Sequence, residues 1–245
     1  MTARVDVVLI RPKEDGNVGA VARVARNFGA ERLSIVAPRA PLGPDARRRA
    51  MGGSALLAGA RRPKDLDAAL EGCDLVVGTT DLSTGRSASY LRRSVPPERL
   101  GELLRVIDGR VALLFGPEDN GLSRGELARC DLLVHIPARR EFPTLNLSHA
   151  AAIVMYAIHR ARFVDDPEST PAPESLALNG PEKELFVDRI AGLLAQVGYP
   201  THKRKGLLLL FRRVMGRATP TEAEYRMMLG FLKSLGRAHR KQTHE

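Results

Sequence analysis

"VDVVLIRPKEDGNVGAVARVARNFG", residues 5–29, opens with a β-branched apolar run, breaks into a polar loop containing glycine, and resumes with apolar residues at helical spacing. Val18, Val21, Ala22, Ala25 and Phe28 fall on one stripe of a helix, while Arg23 and Asn27 project to the other side. Asn17 stands where an N-cap belongs. Four further runs repeat the strand signal: "RLSIVA" at 32–37, "DLVVGT" at 74–79, "VALLFG" at 111–116 and "LLVHIP" at 132–137. Near-continuous apolar strands, each followed by a loop and a helical pattern, predict an α/β domain built on a parallel sheet with helices on both faces.

The last helix of this domain is the clearest. Leu147, Ala150, Ala151, Val154, Met155 and Ile158 recur at i, i+3, i+4 and i+7. Over 164–181 the pattern gives way to a mixture of Pro, Ser and acidic residues that reads as a linker. Residues 182–245 then read as a small helical extension. Residues 198–245 hold 11 Lys and Arg against 3 Glu, a formal +8 of the chain's +10. Such charge favours a polyanionic partner, nucleic acid foremost, with the extension as the candidate backbone contact. With no Trp and 4% aromatic residues, recognition is expected to lean on shape and phosphate rather than on base stacking. No apolar run approaches the roughly 20 residues of a membrane span, and no signal-peptide pattern precedes the first strand, so a cytoplasmic location is expected. Cys73 and Cys130 are expected as reduced, largely buried thiols.

Three stretches could carry chemistry. In the loop and helix of residues 11–29, Gly16 and Gly19 do not make the G-x-G-x-x-G of a dinucleotide site, and no phosphate-binding P-loop occurs elsewhere. In "FGPEDNGLSRGEL", residues 115–127, a strand runs into Gly116, where a flat ligand could approach the backbone. A turn at Asn120 and Gly121 follows, and Ser123 with Glu126 makes a capping box for the next helix. Glu118 and Asp119 lack the further His or carboxylate of a metal site, so no metal is expected, and Glu118 reads as a holder of the Arg23 loop. In "FPTLNLSHAA", residues 142–151, Thr144 or Asn146 can cap the helix from Leu147.

Taken together, these stretches resemble the three signature motifs of the SpoU (TrmH) family in the SPOUT superfamily of RNA methyltransferases. N-x-G-x-x-x-R is matched by Asn17, Gly19 and Arg23, and G-P-E-x-x-G-L by Gly116, Pro117, Glu118, Gly121 and Leu122. [ST]-L-N is matched by Thr144, Leu145 and Asn146. The tail "LLLFRRVMGRATPTEAEYRMMLGFL" is similar to that of the family's TrmJ-like branch, the tRNA (cytidine/uridine-32-2'-O)-methyltransferases.

The resemblance implies a trefoil knot in the C-terminal part of a domain over 1–163, S-adenosylmethionine as methyl donor, tRNA as substrate and a homodimer. It places cofactor contacts at Thr79, Thr80, Asp81, Gly116, Ile136, Thr144, Leu145 and Asn146. Catalytic roles are implied for Arg23, Asn17, Glu118, Thr144 and Asn146, with Arg23 steadying the forming alkoxide, across the dimer interface if it serves the partner's cofactor. RNA contacts are expected from Arg23, Arg86, Lys203, Arg204, Lys205, Arg212 and Arg213. Two alternatives stay open: another tRNA site or ribosomal RNA as target, and a non-catalytic RNA-binding assembly factor on the same scaffold.

Overall fold

The computed structural model describes residues 3–80, 94–139, 141, 143–163, 180–218 and 220–242. Five strands, β1 (Arg4–Ile10), β2 (Arg32–Val36), β3 (Leu75–Thr79), β4 (Arg110–Phe115) and β5 (Leu132–Val134), form one sheet in the order β2-β1-β4-β3-β5. Every pairing is parallel, as the apolar runs predict. This crossing order is consistent with a knotted C-terminal part. β5 is shorter than its sequence suggests and stops at Val134, opposite Thr79, where its sheet partner β3 also ends.

Ten α-helices accompany the sheet among the described residues: α1 (Asp15–Asn27), α2 (Pro44–Ala50), α3 (Ser54–Ala58), α4 (Leu66–Leu70), α5 (Pro97–Arg105), α6 (Arg124–Leu127), α7 (Leu147–Phe163), α8 (Gly180–Gln196), α9 (Thr201–Ala218) and α10 (Glu222–Gln242). The strands feed both faces. Val5, Val7 and Leu9 of β1, with Val111, Leu113 and Phe115 of β4, pack with α1, α5 and α7. Val8, Ile10, Ala112 and Leu114 turn the other way, toward Ala69 and Leu70 of α4. Alternation between two covered faces explains why each strand reads as a continuous apolar run.

At the amino ends of the strands, Arg110 Nη1 donates to both oxygens of Asp6 at 2.8 and 3.0 Å, and its Nη2 reaches Glu31 at 3.2 Å. Arg110 and Asp6 are buried, so their charges satisfy one another. The opposite edge carries loops. The extension forms a core of its own from Phe186, Ile190, Leu194, Met215 and Tyr225. Its first helix starts at Gly180, so Gly180 and Pro181, expected in the linker, are helical. Proline is tolerated in a first turn, where its missing N–H has no intrahelical acceptor to lose. Residues 164–179 of the expected linker lie outside the described residues.

Candidate active site

A cavity of about 290 Å3 opens at the carboxyl ends of β3, β4 and β5. Thr79 and Thr80 line it at the end of β3, residues 115–122 from the end of β4 and the loop after it, Val134 and Ile136 from the end of β5 and just beyond, and Pro143, Thr144 and Leu145 from the approach to α7. Six of the eight expected cofactor contacts therefore meet at one cavity. Asn146 is set beside it rather than in its wall, and Asp81, like Arg86, lies outside the described residues.

A chain of hydrogen bonds joins the three motif loops. Glu118 Oε1 accepts from Asn17 Nδ2 at 2.8 Å, and Glu118 Oε2 accepts the Lys13 N–H at 2.9 Å. Asn146 Nδ2 donates to Asn17 Oδ1 at 3.1 Å. The other end of the Asn146 amide caps α7, accepting from the Ser148 N–H at 2.9 Å and its hydroxyl at 2.8 Å. Both ends of the Asn17 amide are thus engaged, which fixes its orientation. The N-cap expectation for Asn17 is corrected. α1 is capped at Glu14 without a side-chain bond, and Asn17 is buried inside the first turn, its amide committed to the other two loops.

The glycines of these motifs, and Gly53 in the turn after α2, serve close packing. A Cβ at Gly19 would collide with the Ala46 carbonyl, and one at Gly53 would lie 2.7 Å from the Arg23 nitrogen. These absences let α2 and the following turn press on α1. A Cβ at Gly116 would strike the returning chain at Gly121 and Leu122, so this glycine lets the turn close beside the cavity that it lines, and Gly121 itself turns with φ 61°.

Two ion pairs clasp the rim. Arg11 grips both carboxylate oxygens of Glu126, one at 3.1 Å, and Arg39 holds Asp119 at 2.6 Å. Glu126 also completes the expected capping box with Ser123. Burial opposes its ionisation, yet Arg11 and the Ser123 groups hold its carboxyl below the usual range. Arg11 and Ala37, first residues after β1 and β2, take φ of 48° and 44°, a left-handed backbone at the edge that carries the site.

Arg23 is exposed and does not line the cavity of its own chain. On α2, which packs against α1, stands a basic surface that the sequence expectations omit: Arg47, Arg48 and Arg49 are exposed there, and the run "RRR" is its only signal. Arg48 and Arg49 pair with Asp45. Farther away, Lys203 and Lys205 are exposed, and Arg204 donates to the Tyr199 carbonyl at 2.8 Å. Arg212 and Arg213, expected to face RNA, point inward instead. Arg212 pairs with Asp131 and Glu184, and Arg213, 2% exposed, donates to the Leu127 carbonyl at 2.8 Å.

The cavity wall suits S-adenosylmethionine. Leu122, Leu127, Ile136 and Leu145 offer an apolar bed for a neutral heterocycle, and Glu118 and Asp119 bring carboxylates to the same wall. No Lys or Arg lines it among the described residues, which disfavours a polyphosphate ligand. Those residues also contain no cluster of three or more metal-ligating side chains. Cys130 is no nucleophile candidate, since burial pushes its thiol up to about 12.

Residues 4–156 match the SpoU rRNA Methylase family. A tRNA (cytidine-2'-O-)-methyltransferase TrmJ of Methanocaldococcus jannaschii is 32% identical over 89% of this chain and 94% of its own. A tRNA (cytidine/uridine-2'-O-)-methyltransferase TrmJ of Pectobacterium atrosepticum is 32% identical over 98% and 99%. Among solved structures, TrmJ from Z. mobilis superposes with a TM-score of 0.68 at 26% identity, covering 96% of this chain and all of the other. The SpoU methyltransferase AviRb of Streptomyces viridochromogenes, in complex with AdoMet, shares the fold at a TM-score of 0.53 and 22% identity over 67% and 60%. With its three motif loops bonded together around one cavity and its matches spanning nearly its full length, the chain belongs to the SpoU methylase family, RNA 2'-O-methyltransferases that use S-adenosylmethionine.

Proposed function

We propose that this enzyme methylates the ribose 2'-oxygen of cytidine or uridine in tRNA, at position 32 of the anticodon loop, and works as a homodimer in the cytoplasm. The Glu118–Asn17–Asn146 chain carries the reading, because it ties α1, which bears Arg23, to both loops of the donor cavity. The names of the two curated relatives support tRNA and the pyrimidines as targets.

Bound S-adenosylmethionine supplies an electrophilic methyl group. Thr79, Thr80, Thr144 and Leu145 would hold it in the cavity, where it would offer that methyl group to the ribose 2'-oxygen. Alignment supplies much of the rate. Glu118 holds the Arg23 loop, with both its oxygens committed to hydrogen bonds from Lys13 and Asn17. Thr144, in the cavity wall, and Asn146, at the cap of α7, orient the donor end. The Arg23 guanidinium steadies charge developing on the 2'-oxygen. Its exposed position outside its own cavity supports service to a partner subunit's cavity. Lys203, Lys205 and Arg86 are proposed to hold phosphates, with Arg47 of α2 as a further contact.

Mapping 2'-O-methyl groups on tRNA treated with the purified chain tests the target; methylation confined to other positions would remove the position-32 assignment. Arg23→Ala is expected to lower turnover by roughly 100-fold or more, the scale of losing one transition-state donor. S-adenosylmethionine affinity, read by calorimetry, should change little. Near-wild-type turnover in that variant would refute the role of Arg23.

A further inference from the structure

Three separate contacts from α9 converge on one short segment, residues 127–131, which joins α6 to β5. Arg213 donates to the Leu127 carbonyl at 2.8 Å. Arg212 pairs with Asp131 at 3.2 Å. Gly216 lies so close that a Cβ there would sit 2.5 Å from the Asp131 carbonyl oxygen. The segment also borders the methyl-donor cavity. Leu127 is part of the cavity wall, and β5 follows directly on Asp131 and leads to Val134 and, just beyond the strand, Ile136, which line it too. Asp131 is wholly buried, and its second oxygen accepts the Val76 N–H at 2.8 Å, which registers the segment on β3.

We infer that α9 is a positioning element of the donor cavity, with Arg212, Arg213 and Gly216 holding the wall formed by Leu127 and the end of β5 in its binding geometry. This rests on the cavity being the S-adenosylmethionine site. A buried carboxylate keeps its place only while its charge is compensated, and Arg212 supplies that compensation from outside the α/β domain. Arg213 adds a side-chain donor to the carbonyl that ends α6, which also accepts the Cys130 N–H at 3.3 Å, and so ties that turn to α9. The basic extension therefore serves the donor as well as the RNA.

The test measures S-adenosylmethionine binding to the full chain by calorimetry, without RNA, in Gly216→Ala and Arg213→Met. Gly206→Ala serves as control, because Gly206 lies in the same helix with open space around it. The Kd is expected to rise roughly 3- to 10-fold in the first two variants and to stay unchanged in the control. In steady state the KM for S-adenosylmethionine should rise while kcat at saturating donor and the KM for tRNA hold. Arg213→Lys, which keeps a donor, should recover part of the affinity. If either variant fails to fold, Glu184→Gln, which loosens Arg212 from an exposed partner, is read the same way with a smaller rise. Unchanged donor affinity in folded variants whose 127–131 amides exchange faster would overturn the inference, and so would a rise confined to the KM for tRNA. Wild-type protein that binds no S-adenosylmethionine would instead sink the reading of the cavity.

Discussion

The loops above the sheet and the helices after residue 180 both combine arginine with carboxylate, to opposite ends. At the rim, Arg11 and Arg39 are occupied by Glu126 and Asp119, and that clasp leaves Arg23 and Arg47 facing outward. In the extension, the arginines that look most available in sequence are turned inward. Arg204, Arg212 and Arg213 hold carbonyls and acids of the chain itself, and Lys203 and Lys205 remain exposed. Positive charge counted along a chain therefore overstates the surface offered to RNA. It does not distinguish an arginine that meets phosphate from one that docks a helix.

Glycine gives the sharpest way to break this comparison. Gly19 of α1 is sealed against the Ala46 carbonyl, whereas the place a Cβ would take at Gly206 of α9 has nothing within 4 Å. Gly19→Ala should cost about 2–3 kcal/mol through overpacking between α1 and α2, and should disturb the Asn17 chain two residues away. Gly206→Ala should stabilise by about 0.5–1 kcal/mol, because alanine favours a helix interior. Urea midpoints read both. Equal shifts in the two variants would mean that the α1–α2 contact is looser than the backbone implies.

The same contrast shows what was legible in sequence. The five strands, the buried stripe of α7, the Ser123–Glu126 box and the cap at Asn146 all follow from local rules of period and hydrogen bonding, so short windows reveal them. Asn17 did not yield to such rules. Its partners Glu118 and Asn146 lie 101 and 129 residues away, and a side chain that bonds across the fold looks locally like a cap. Arg212 and Asp131, 81 residues apart, escaped for the same reason. The motif resemblance supplied the convergence of distant loops, which no local pattern encodes, and packing adds a reason for glycine at position 116 that the motif does not state: a Cβ there would strike the returning chain at Gly121 and Leu122.

A smaller effect separates the two classes of basic residue in the extension. Each phosphate contact contributes roughly one unit to the dependence of log affinity on log salt. Lys203→Ala with Lys205→Ala should lower that slope by about 2 and weaken tRNA binding. Arg213→Met should leave the slope where it was, since a 2% exposed guanidinium releases no counterions from RNA. Titrations at several salt concentrations check this. A slope that falls with Arg213→Met would return that residue to the RNA face.

The smallest expected effect concerns the clasp at the rim. A carboxyl held below its ordinary value in the folded chain contributes stability that is present above the unfolded value, about 4.5 for glutamate, and is lost as pH falls through the folded value. Glu126→Gln keeps the shape and an acceptor for the Ser123 N–H but removes the charge facing Arg11. At pH 7 it should cost about 1 kcal/mol or less, the scale of a partly exposed pair. That gap should narrow as pH drops below about 4.5, because the wild-type carboxyl protonates and comes to resemble the variant. Chemical denaturation at neutral and acidic pH compares the two chains. A gap of constant size would mean that shape, not charge, holds Glu126 against Arg11, and the rim would then resemble the packed glycines more than the ion pairs of the extension.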